Sequence, residues 1–142
     1  NPRQMRIDFT LTLPGLFEIE NIFNLSKELN TMLLAKVTFS FTPDIVMSPL
    51  CLPKDILHKY VNNVIDKIKP EVTSLQQPLL DVLENLLHRK VFSEEWPEWH
   101  EEGISKGKQR ILTLENIRND EYTMDDILKQ DKDIYEWWQS IA

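Results

Sequence analysis

Residues 53–69, PKDILHKYVNNVIDKIK, decide the fold. Ile56, Leu57, Tyr60, Val61, Val64, Ile65 and Ile68 recur at alternating steps of one and three, the spacing of a wide apolar stripe on an α-helix. Lys59, Asn62, Asn63, Asp66 and Lys67 fall between them and form a polar back. Pro53 suits a first helical position, whose N–H has no intrahelical partner. Pro70 ends the run just after Lys67 and Lys69 have met the helix's negative end. Such a helix needs something to bury its stripe against, and the rest of the chain is organised by what it supplies.

Upstream, Ile7, Phe9, Leu11 and Leu13 alternate with Arg6, Asp8, Thr10 and Thr12, the period-two pattern of a strand over 6–13 closed by Pro14-Gly15. Ile19, Ile22, Phe23, Leu29, Met32 and Leu33 then keep helical spacing and predict a helix over 16–34. Val37, Phe39 and Phe41 alternate again in a strand over 36–42, closed by Pro43-Asp44. The connection is long enough for a helical crossover between parallel strands, and it also permits an antiparallel pair. Residues 45–47 and 110–114 are weak strand candidates; if neither pairs, a sheet edge stays open to a partner's strand.

Downstream, Ser48-Pro49 and Leu52-Pro53 mark an extended connector. Residues 71–77 suit a short helical turn, and 79–90 a helix that is apolar over most of its circumference. Trp-Pro and dense charge predict a loop over 91–103. Residues 104–119 suit helix or strand, with Ile111, Leu114 and Ile117 favouring helix. Thr123 with Asp126 has the form of a capping arrangement, so 124–142 should be helical, in two pieces divided near Asp131. The expected architecture is α+β and mostly helical: an N-terminal strand-helix-strand unit covered by four to five helices, in a single domain spanning 1–142.

Composition narrows the function classes. At 42% hydrophobic and 27% charged residues the chain is globular rather than disordered. One cysteine, Cys51, excludes an internal disulfide and a Cys-x-x-Cys pair, which favours a reducing, intracellular setting (cytoplasmic or nuclear) with Cys51 packed as a small hydrophobe. No apolar run is long enough to cross a bilayer, so no membrane role is expected. The first residue is Asn1 rather than a methionine, which suggests a processed chain or a fragment of a longer protein.

Motifs for chemistry are sparse. His58, His88 and His100 lack the spacing of a metal site, even with Glu84 four residues before His88, so neither metal nor cofactor is expected. GISKGKQR over 103–110 lacks the order of a phosphate-binding loop, and Cys51 has no assignable base. Ser48-Pro49 and Thr42-Pro43 are turn dipeptides that also match proline-directed phosphorylation. The net charge of −7 disfavours nucleic acid.

That charge is unevenly placed. Residues 1–92 hold ten basic and ten acidic side chains, whereas 93–142 hold six and thirteen. All four tryptophans, Trp96, Trp99, Trp137 and Trp138, lie in this acidic part. Carboxylates steer a cationic segment and indole faces accept Arg or Lys by stacking. The expected function is therefore non-catalytic protein–protein interaction, with a basic or amphipathic partner segment held by Trp96, Trp99, Glu98, Glu101, Glu102, Asp133, Tyr135, Trp137 and Trp138. Leu79, Leu83 and Leu86 are a candidate second contact. The alternatives are a small enzyme or enzyme accessory domain using carboxylates with His100 as general acid or base, and a structural subunit that self-associates as a homo-oligomer through those leucines.

Overall fold

Strand β1 (Arg6–Leu11) and strand β2 (Met32–Val37) pair in parallel, with Ile7 opposite Leu33, Phe9 opposite Ala35 and Leu11 opposite Val37. The structure is a computed structural model describing residues 5–38 and 47–142. The strands are joined by a 3-10 turn (Pro14–Glu18) and helix α1 (Ile19–Leu29). The fold is α+β and mostly helical, with one two-stranded sheet and seven α-helices among the described residues.

The second strand begins earlier than its alternation implies. Met32, Leu33 and Leu34 belong to β2, not to the expected helix over 16–34. The reason is Asn30, whose backbone is left-handed (φ 49°). Its N–H donates to Lys27 O and the Thr31 N–H donates to Ser26 O, a Schellman ending that turns the chain out of the helix. Residues 39–42, the far end of the expected strand, lie outside the described residues. So do Thr42-Pro43 and two of the three residues of the 45–47 candidate.

Helix α2 (Lys54–Ile68) follows Pro53 directly and buries Leu57, Val61, Val64, Ile65 and Ile68, as its periodicity predicts. A 3-10 turn over Lys69–Glu71 carries the chain through Pro70. Helix α3 (Gln77–Leu86) lies on β2, and α2 packs against α1 and α3. The bend before α3 is tied to the sheet: the Leu33 N–H donates to Leu75 O at 2.9 Å. Buried Gln76 gives an Nε2 hydrogen to Ser26 Oγ (3.0 Å), and its Oε1 accepts from Thr73 N–H and Oγ1 (3.0 and 2.9 Å). These bonds satisfy polar groups that burial would otherwise make expensive.

The expected loop over 91–103 contains a short helix α4 (Phe92–Glu95), and helix α5 (His100–Arg118) begins inside it. Val91 and Phe92 are buried and anchor α4, so the charged residues of this segment ride on an apolar foot. Residues 110–114 are helical, which disposes of that strand candidate. Helices α6 (Met124–Leu128) and α7 (Lys132–Ser140) divide at Asp131, as expected. Thr123 Oγ1 accepts from Asp126 N–H while the Asp126 carboxylate accepts from Thr123 N–H, the expected capping arrangement. The buried cluster runs from Leu11 and Leu33 through Leu57 and Leu83 to Ile134 and Trp138.

Two candidate contacts are core. Leu79, Leu83 and Leu86 are fully buried, because α3 faces them into the space between β2 and α2. They are not available as a second contact. Ser48 is also fully buried, its Oγ accepting from Leu50 N–H, so a kinase has no access to Ser48-Pro49 in the folded chain. No helix among the described residues is long and apolar enough to cross a membrane.

Candidate functional site

Helix α7 sets the site. Adjacent residues on α7 differ in burial: Trp138 is fully buried, whereas Trp137 is half-buried at the surface, their ring centroids 6.2 Å apart. The Trp138 indole Nε1 donates to Asp125 Oδ1 at 2.6 Å. Trp138 is thus withdrawn from the expected binding set; its ring completes the core.

Trp137 lines two neighbouring depressions. The first, of ≈540 Å³, is walled by Cys51, Pro53, Ile104, Trp137 and Ile141, with His100, Glu101 and the hydroxyls of Ser93, Ser105 and Ser140 around them. The second, of ≈600 Å³, is formed by Asp55, Ile56 and Lys59 of α2 with Asp133, Glu136 and Trp137 of α7. Three carboxylates and the Lys59 ammonium line it, and Glu136 also pairs with Lys132 at 3.9 Å. Lys59 Nζ donates to Asp133 Oδ2 at 2.9 Å, and this bond raises the lysine pKa above its ordinary value. Both depressions expose more apolar than polar surface; the second differs in the three carboxylates that line it, and one indole is shared between them.

The walls are fixed to each other from below. Lys108 of α5 is buried; its Nζ donates to Trp138 O (2.7 Å) and Ile141 O (3.1 Å) and stands 5.3 Å from the Trp138 ring centroid. A cation there answers the negative end of α7. Ser105 Oγ donates to Ala142 O at 2.9 Å. The wall given by α5 and the wall given by the end of α7 are therefore one bonded unit. This also places the 103–110 stretch within a helix, with one lysine turned inward.

The other expected residues scatter. Trp96 is half-buried against Phe92, ring centroids 5.1 Å apart. Trp99 is 68% exposed, just before α5. Glu98 is exposed in the turn between α4 and α5. Glu102 is exposed and pairs with Lys106 at 2.7 Å, whose hydrogen bond lowers its carboxyl pKa. Tyr135 is half-buried, with Lys129 Nζ 5.8 Å from its ring centroid. Several acids of the last third serve the chain itself: Asp131 Oδ1 accepts from Ile134 N–H (2.9 Å), and Glu115 Oε2 accepts from Met124 N–H (2.6 Å).

Of the expected set, Glu101, Asp133 and Trp137 line the two depressions, with His100 beside them. Cys51, Pro53, Asp55, Ile56 and Lys59 are additions from the neutral part of the chain. Their only sequence signal was the helix start at Pro53, since their approach to α7 is a long-range packing event. His58, His88 and His100 fall on separate elements, and no group of three or more His, Cys, Asp or Glu among the described residues is arranged to hold a metal ion. Burial pushes the Cys51 thiol well above its ordinary pKa, so it stays protonated.

Comparison of the chain with protein-family models, with curated proteins and with solved structures finds no match in any of the three.

Proposed function

We propose that the chain is a non-catalytic docking module, one that seats a basic, amphipathic segment of a partner protein across Trp137. The single observation that carries this reading is the sharing of one indole by two depressions that expose apolar surface, one of them lined by three carboxylates. An amphipathic segment has the matching pair of faces, and a half-buried tryptophan offers large contact area with little rotamer freedom to lose. The docking face differs from the one composition suggested: it joins the start of α2 to α5 and α7, and leaves Trp99 aside.

Acid–base chemistry at His100 is the second reading, favoured by the place of that ring in the first depression beside three serines. Two of those hydroxyls are turned to backbone carbonyls: Ser105 Oγ donates to Ala142 O and Ser140 Oγ to Trp137 O at 2.6 Å. A nucleophile would instead donate to a base, so docking is the reading supported best.

The test is calorimetric titration with a synthetic peptide of leucine, alanine and arginine patterned as a basic amphipathic helix. Binding is expected at low salt, weakening as ionic strength rises, and absent for Trp137→Ala and for a glutamate version of the peptide. Failure of the basic peptide to bind, or binding indifferent to Trp137→Ala in a folded variant, overturns the proposal.

A further inference from the structure

We infer that Lys59 is a resident cation: it occupies the carboxylate-lined depression in place of the partner's basic residue, which must displace it, and that residue is an arginine. This rests on the docking reading above and adds the identity of the competing group. Lys59 extends from α2 to Asp133 on α7, where Asp55 and Glu136 line the same depression. The ammonium is a single point charge holding one oxygen of Asp133 at 2.9 Å, while Glu136 pairs with Lys132 of its own helix at 3.9 Å. Lys59 and Asp133 are both well exposed, with side chains 69% and 41% accessible. Exposed pairs of this kind add little to stability, so their exchange for a stronger pair is easy. A guanidinium presents a planar fork that bonds carboxylates in pairs, which an ammonium cannot do. The stem of the incoming arginine lies along the Trp137 ring, where its flat cation also stacks.

Removing the resident charge should therefore strengthen binding, the opposite of what loss of a structural ion pair does. The experiment measures the affinity of the leucine, alanine and arginine peptide for the intact chain, for Lys59→Met, which keeps most of the stem, and for Lys59→Glu. Lys67→Met is the control. It removes an exposed lysine of the same helix, paired with Glu20 at 3.3 Å and absent from both depressions, and so makes the same change in net charge. Affinity should rise about two- to fivefold in Lys59→Met, the range set by one exposed charge pair. It should rise further in Lys59→Glu and be unchanged in Lys67→Met. A lysine version of the peptide should bind more weakly than the arginine version.

Equal affinities for Lys59→Met and wild type, or equal gains in Lys59→Met and Lys67→Met, overturn the resident-cation role while leaving docking at Trp137 standing. Equal binding of the arginine and lysine peptides overturns the choice of arginine alone. No binding by any variant, each shown to be folded by thermal unfolding, removes the docking reading and this inference with it.

Discussion

The carboxylate of Asp126 is the clearest case of one side chain whose ionisation the fold uses. It accepts from the Thr123 N–H and hydroxyl, both at 3.0 Å, and these bonds lower its pKa below the ordinary value of 3.8. A carboxyl whose folded pKa is depressed adds stability above its unfolded pKa and loses it as pH falls through the folded value. Asp126→Asn should therefore lower the melting temperature at neutral pH, and the gap from wild type should close in acid below the carboxylate range. Thermal melts at both pH values check this; a gap that persists in acid would assign the effect to packing. The Thr-x-x-Asp pattern was legible because capping is local. Tryptophan was not legible in the same way: Trp137 and Trp138 are neighbours with identical propensities, and only the rotation of α7 over α5 decides which one is sealed. A composition argument that counts indoles cannot separate them.

Among the elements, the ending of α1 settles where the sheet begins. Asn30 holds a left-handed backbone at no special cost for its residue type, while an ordinary side chain there is strained by about 1 kcal/mol. Asn30→Ala should lose about that much in urea unfolding, and Asn30→Gly should be neutral or slightly stabilising. Equal losses for both would mean that the asparagine side chain, rather than the backbone, matters. The same feature explains why helical periodicity overruns the end of α1. Met32, Leu33 and Leu34 continue the helical apolar spacing of α1, so periodicity alone extends the helix into what is β2. Asn119 ends α5 with the same left-handed turn (φ 55°). Where the polar and apolar steps were regular over many residues, as in β1 and α2, the elements were legible to within a residue or two. Where a short apolar foot carries a charged segment, as at Val91 and Phe92, the charge masked the helix.

For the whole molecule, the leucines of α3 show how much depends on placement. An all-round apolar helix is either central or an interface, and burial of Leu79, Leu83 and Leu86 makes it central. Leu83→Ala should then destabilise the chain by about 2–5 kcal/mol, read by denaturant unfolding. Near-native stability with a smaller hydrodynamic size would place α3 at an interface between copies instead. The candidate site was half legible at this scale. The acidic third supplies Glu101, Asp133 and Trp137 to the two depressions, whereas the facing wall comes from residues 51–59, brought there by the burial of α2. Lys108 ties the floor of α7 to the wall of α5 from beneath, so the recess is held open before anything enters it. On the docking proposal, a segment arriving there would meet a finished mould and cost the host little disorder on seating. Its association should be governed by encounter and charge rather than by a slow rearrangement of the receiving chain.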